Sequence, residues 1–201
     1  MAQRAYRTRR RVDRSEATRG RIMSAVRELL AEGGFHESTV EEVADRAGIS
    51  RATLYQHFRS RLELVDAICE TFDANPALRE LRQLVELDDV DASLDGTIAN
   101  TVRFWSSEDP ILSQLYGVAA IDPAARDLVD RQRADRRSEY ERLARNLRRA
   151  GRLRVSERRA LALLLVLSSY ETFRELREAG FSDRQATAFL QENAREALLV
   201  A

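Results

Sequence analysis

Along this chain the apolar residues recur three and four positions apart, and no run of β-branched residues alternates at the period of two that a half-buried strand requires. That spacing restricts the chain to helices packed on helices. With only 3 Pro and 8 Gly in 201 residues, long helices can run with few breaks. The chain is also long enough to bury a substantial core. No internal repeat is visible.

Residues 1–14, "MAQRAYRTRRRVDR", carry no apolar periodicity and read as a basic arm without structure of its own. Helices are expected near 15–33, 40–47, 51–58, 60–72, 77–87, 92–106, 110–120, 123–150, 156–179 and 183–199. Local chemistry marks several ends. Thr39–Glu42, Ser60–Glu63 and Ser182–Gln185 have the form of capping boxes. Asp122-Pro123 is an N-cap followed by Pro at the first helical position. Gly151 and Gly180 stand where left-handed C-caps are expected.

The charge is divided. Residues 1–61 hold 13 Arg against 8 Asp and Glu, while the chain as a whole has equal numbers of basic and acidic residues. A basic front and an acidic back suggest two modules with different partners. Cys69 is the only cysteine, so no disulfide can form within the chain. The longest apolar run, residues 160–167, is too short to span a bilayer. The N-terminus lacks the apolar region of a signal peptide. A cytoplasmic protein is expected. No Gly-rich phosphate loop, nucleophile elbow or metal-ligand cluster occurs, so neither an enzyme nor a cofactor or metal is expected.

The segment 48–58, "GISRATLYQHF", carries the functional signal. The helix of 40–47, a tight turn at Gly48 and the helix of 51–58 form a helix-turn-helix, with Val43, Ile49 and Leu54 as its small shared core. On a helical wheel Leu54 and Phe58 set the buried direction. Ala52, Thr53 and Gln56 then point outward, and Tyr55 and His57 fall on the flanks with Arg51 near Tyr55. A helix in a DNA major groove needs this division: short or bidentate groups for base edges, longer donors for the two phosphate strands. Gln56 suits adenine, and Ala52 or the Thr53 methyl suits a thymine methyl. Thr39 and Ser60 cap helix N-termini, which attract phosphates, and Arg61 adds a charge beside the second. Arg9, Arg10 and Arg11 can follow the backbone or enter a minor groove.

Residues 38–68, "STVEEVADRAGISRATLYQHFRSRLELVDAI", resemble the DNA-binding segment of the TetR family of transcriptional regulators. The likeness rests on the G-I-S turn ending at Ser50, the T-L-Y-Q-H-F helix and the S-R-L-E-L opening of the next helix, and covers roughly residues 15–72. Arg61 departs from the Lys usual there. The resemblance implies an all-α protein. Its residues 15–72 would form the DNA-binding domain and its residues 73–201 a larger helical domain for ligand binding and dimerisation. It also implies a homodimer on a roughly palindromic operator of double-stranded DNA, usually a repressor, released when a small molecule binds. The helix of residues 60–72 would act as the lever.

The back half is less specific. The run 160–167 is apolar on nearly all helix faces, as expected of a helix buried on two sides. The helices near 156–179 and 183–199 are therefore expected to pair with their copies in a four-helix dimer interface. Residues 126–149 alternate charges around a stripe of Leu128, Tyr140, Leu143 and Leu147, which reads as a solvated outer helix. Phe104, Trp105, Tyr116, Tyr170 and Phe173 are the candidates for an apolar ligand site. A competing function is an architectural DNA binder whose back domain only dimerises.

Overall fold

The computed structural model of the protein describes residues 2–33, 35, 38–72 and 75–200, with side chains from residue 14 onward. The described residues form helices α1 (Ala2–Ala31), α2 (Val40–Arg46), α3 (Arg51–His57), α4 (Arg61–Phe72), α5 (Pro76–Val85), α6 (Val90–Ile121), α7 (Pro123–Arg149), α8 (Glu157–Leu167), α9 (Tyr170–Glu178) and α10 (Asp183–Leu198). Among the described residues the β pairing amounts to one isolated bridge, Leu153 to Leu199.

Three expectations are corrected. The first helix begins at Ala2, not near residue 15. The arm lacks apolar periodicity, but residues 2–19 contain no Gly or Pro and are rich in Arg and Ala, which favour helix by propensity alone. The side chains of Arg9, Arg10 and Arg11 lie outside the described residues.

The helices expected at 92–106 and 110–120 are one, α6, with Pro110 inside it. Pro110 cannot donate to the Ser106 carbonyl, and a lone Pro normally kinks or ends a helix. Here the turn before it is held from outside. The Asp109 carboxylate accepts from the Tyr170 hydroxyl at 2.6 Å and from Arg174 at 3.2 Å. The Ser106 hydroxyl donates to Asp183 at 2.6 Å.

The helix expected over 156–179 is two, α8 and α9, broken at Ser168-Ser169. No Gly or Pro marks the break. Ser169 ends α8 by capping α9, its hydroxyl accepting from the Thr172 N–H at 3.0 Å. The Ser168 carbonyl, freed at the break, accepts from the Trp105 indole N–H at 3.1 Å.

The chain divides into two compact units. The first holds residues 1–71 and 110–129, the second residues 72–109 and 130–201. The expected functional division at residue 72 cuts the chain differently, and stands below as part of the proposed function. In the first unit Ile22, Val26, Leu29, Val43, Leu54, Phe58, Leu64 and Ile68 are buried. Each large apolar side chain buried in this way contributes about 1.5–3 kcal/mol. In the second unit Leu94, Ile98, Val102, Tyr140, Leu143, Leu147, Leu164, Leu190 and Leu198 form the core. Leu128 of the α7 stripe is also buried, and belongs to the first unit.

Candidate nucleic-acid interface

The turn between α2 and α3 follows from one glycine. Gly48 has φ 64°, a left-handed backbone that only Gly adopts without penalty. In that conformation the Gly48 N–H donates to the Asp45 carbonyl and the Ile49 N–H to the Ala44 carbonyl, each at 3.0 Å. This is a Schellman closure, and it turns the chain directly into α3. Ala44 and Val43 are buried beneath the turn, and Ile49 is half-buried.

Ser50 then starts α3. Its hydroxyl accepts from the Thr53 N–H at 3.1 Å and shares a hydrogen bond with the Thr53 hydroxyl at 2.8 Å. The Thr53 hydroxyl is therefore engaged within the helix. Leu54 and Phe58 are almost completely buried, as the wheel requires. Arg51, Ala52, Tyr55 and Gln56 are exposed, and Thr53 and His57 are half-buried. An α-helix is about 10–12 Å across with its side chains, which fits a major groove about 12 Å wide, and α3 offers seven residues to it.

Arg51 is paired before any nucleic acid arrives. It forms an ion pair with Glu41 of α2, and its guanidinium lies 5.5 Å from the Tyr55 ring centroid. Hydrogen bonding to Tyr55 and the charge of Glu41 hold the Arg51 pKa above its ordinary value.

The flanking helix ends are capped by the expected hydroxyls, but neither carboxylate returns to the N–H of its own cap residue. The Thr39 hydroxyl accepts from the Glu42 N–H at 3.2 Å. The Ser60 hydroxyl accepts from the Glu63 N–H at 3.2 Å, but the Glu63 carboxylate reaches back to the Arg59 N–H at 2.7 Å, one residue beyond the box. Arg61 is half-buried rather than projecting freely. Its guanidinium donates to the Ser38 carbonyl at 3.1 Å and sits 4.3 Å from the Phe35 ring centroid. Burial lowers its pKa below the ordinary arginine value. Arg61 thus clasps the segment between α1 and α2 to the start of α4.

Other arginines brace the same unit. Arg19 lies 4.6 Å from the Phe58 ring centroid, and Arg46 of α2 donates to Glu32 at 2.6 Å. Arg59 stands exposed immediately before α4, beside the capped terminus. Sequence reasoning passed over it, although its place next to Ser60 was the available signal.

In the second unit four of the five aromatic candidates form one buried chain. Phe104 and Trp105 have ring centroids 4.9 Å apart, Trp105 and Tyr170 5.5 Å, and Tyr170 and Phe173 6.3 Å. Tyr116 belongs to the first unit and is half-buried. Burial, then the hydrogen bond and charge of Asp109, push the Tyr170 hydroxyl far above its ordinary pKa. It stays protonated and donates to Asp109.

The α8 and α10 helices meet through Ala160, Leu164, Ala186, Leu190 and Ala194, all buried. Their other faces are apolar and open. Val166 is 62% exposed and Phe189 41%, with Ala162 and Ala188 also exposed. Among the described residues no helix is long and apolar enough to cross a membrane.

Residues 22–68 match the family model described as bacterial regulatory proteins, tetR family. Over 52 residues the chain is 44% identical to the transcriptional activator FasR of Mycolicibacterium smegmatis, covering 26% of this chain and 24% of that protein. Over 72 residues it is 38% identical to the transcriptional regulator UidR of Escherichia coli K12, covering 36% of each. The chain thus spans about a quarter to a third of these curated relatives. The fold extends further. A structure of SmeT in complex with triclosan superposes with a TM-score of 0.73 at 21% identity, covering 92% of both chains.

Proposed function

Because the chain belongs, through its DNA-binding domain, to the TetR family of bacterial regulatory proteins, a family of regulators and not of enzymes, we propose that it is a dimeric, sequence-specific regulator of transcription. In this reading it represses from a roughly palindromic operator and leaves it when a small molecule binds. Residues 15–72 read DNA, residues 73–201 bind the effector and dimerise, and the protein works in the cytoplasm.

The observation that carries the reading is the division of α3. A buried edge at Leu54 and Phe58 fixes the helix, and Ala52 and Gln56 stand free on its outer face. Base contacts fall to these residues and the Thr53 methyl, and phosphate contacts to Thr39, Ser50, Arg51, Tyr55, His57 and Arg61, with Arg9, Arg10 and Arg11 following the backbone or entering a minor groove. Such contacts set register, while base edges set sequence. Dimerisation through α8 and α10 would cover the open apolar faces around Val166 and Phe189. The effector is expected beside the aromatic chain of Phe104, Trp105, Tyr170 and Phe173. Release then needs an effector with different affinity for the two states of the dimer.

Selection of bound DNA from a random pool tests the proposal. Enrichment of one two-fold-symmetric motif, bound with a steep salt dependence, is the expected result. Failure to enrich any symmetric motif, or a monomer in sedimentation at micromolar concentration, would overturn it.

A further inference from the structure

We propose that the groove between α5 and α7 binds a small organic carboxylate, with Arg136 as its anchor. The groove encloses about 390 Å³ and lies wholly within the second unit. That is the size of a small-molecule site. Leu78 and Leu81 of α5 line one side, and Arg136 and Glu139 of α7 the other.

Arg136 is the unusual member. Its Nε is sealed from solvent and meets no hydrogen-bond acceptor. A guanidinium is always charged and carries five donors, and with Nε closed in, its demand for acceptors falls on the outer N–H groups that face the groove. The group is also held in place. Its central carbon lies 4.8 Å from the Trp105 ring centroid, and Trp105 is fixed in turn by its hydrogen bond to the Ser168 carbonyl.

The acids of the groove do not meet the demand. Glu139 pairs with Arg142 at 3.1 Å and lies 3.7 Å from Arg82. Asp135 stands exposed at the rim, as does Arg79. Three arginines, Arg79, Arg82 and Arg136, face two acids of which one is already shared. A carboxylate takes two parallel N–H bonds from a guanidinium, a geometry that no single neutral oxygen provides. The leucines supply an apolar wall for the body of the ligand. The ligand is a small monocarboxylate whose body meets Leu78 and Leu81.

This proposal rests on the ligand-controlled reading above, and the experiment separates the two. Trp105 is the only tryptophan of the chain and lies against Arg136, so its fluorescence responds to binding there, and the Arg136 substitution separates that site from the rest of the aromatic chain. The full-length protein is titrated with a series of monocarboxylates from benzoate to decanoate, each beside its primary amide. At least one carboxylate is expected to change Trp105 emission saturably, its amide binding at least tenfold more weakly. Arg136→Gln is expected to lose at least tenfold in affinity, while Arg145→Gln, exposed on the same helix, leaves it unchanged. Circular dichroism checks the fold. Should Arg136→Gln unfold, Arg79→Gln at the rim carries the test with a severalfold loss. No response to any carboxylate, equal binding of the amides, or binding indifferent to both substitutions overturns the site. Carboxylate binding that leaves the selected operator bound sinks ligand control by this class but keeps the site. Operator release by a compound that binds Arg136→Gln normally does the reverse.

Discussion

The two units treat their polar side chains differently. Around α2 and α3 the hydroxyls of Thr39, Ser50, Thr53 and Ser60 each have a partner within three residues, and Arg51, Arg46 and Arg61 each have a fixed neighbour. Among the described residues of the second unit five buried polar atoms have no partner: Ser93 Oγ, Thr97 Oγ1, Asn100 Nδ2, Arg136 Nε and Ser168 Oγ. A buried group left unpaired costs about 1–3 kcal/mol. Around α2 and α3 the polar groups named are satisfied locally, and the Gln56 amide faces outward. The other unit keeps unpaired polar atoms inside, and of these residues only Arg136 lines the groove between α5 and α7.

The largest effect that separates the units is a packing loss beneath α3. Leu54→Ala should cost about 2–5 kcal/mol in urea denaturation, because the site is closed and the helix is only seven residues long. DNA binding should fall with it. A loss below 1 kcal/mol would mean that α3 is not held by its buried edge. Gln56→Ala should do the opposite. It should leave stability unchanged and remove about 1–3 kcal/mol of discrimination at one operator position, read by competition among single-base variants. An unchanged preference at every position would remove Gln56 from the reading face.

A matched pair of hydroxyl substitutions tests the comparison itself. Ser50→Ala removes a cap and should destabilise by about 1 kcal/mol. Thr97→Val removes a buried oxygen that has no partner and keeps the shape, so it should be neutral or stabilise by about 1 kcal/mol. If both destabilise alike in thermal melts, the second unit's oxygen is satisfied in solution and the contrast fails.

Much of this was legible in the sequence, and the exceptions share a cause. The α3 division was readable because Leu54 and Phe58 are spaced by one helical turn and no other large aliphatic or Phe side chain stands there. The N-terminal extension of α1 was missed because propensity, not periodicity, carries it. Pro110 read as a break because the groups that hold its turn, Tyr170 and Arg174, lie some sixty residues away. Ser168-Ser169 read as helix because a cap without Gly or Pro gives a faint signal. The arginines of residues 126–149 were read as part of a solvated outer face. The spacing in α7 assigned Tyr140, Leu143 and Leu147 to the core, and all are buried. It could not show that Arg136, on another face, lies against Trp105. Long side chains reach partners that periodicity does not encode.

The smallest expected effect concerns the pair that Arg51 forms with Glu41. Both groups are largely exposed, and such pairs contribute little to stability. Glu41→Gln should therefore leave the melting temperature unchanged. DNA binding is a different matter, because Glu41 places a negative charge beside the residue assigned to a phosphate. In the free protein Arg51 is held by Glu41 and Tyr55, and to reach the backbone it must exchange a carboxylate for a phosphate. Removing that charge should tighten binding severalfold at low salt, with the gain shrinking as salt rises. Sequence preference should stay the same, since Glu41 lies on α2 and off the outward face of α3. Filter binding over a salt series measures both. A gain independent of salt, or a loss of affinity, would mean that Glu41 orients Arg51 for its phosphate instead of competing with it.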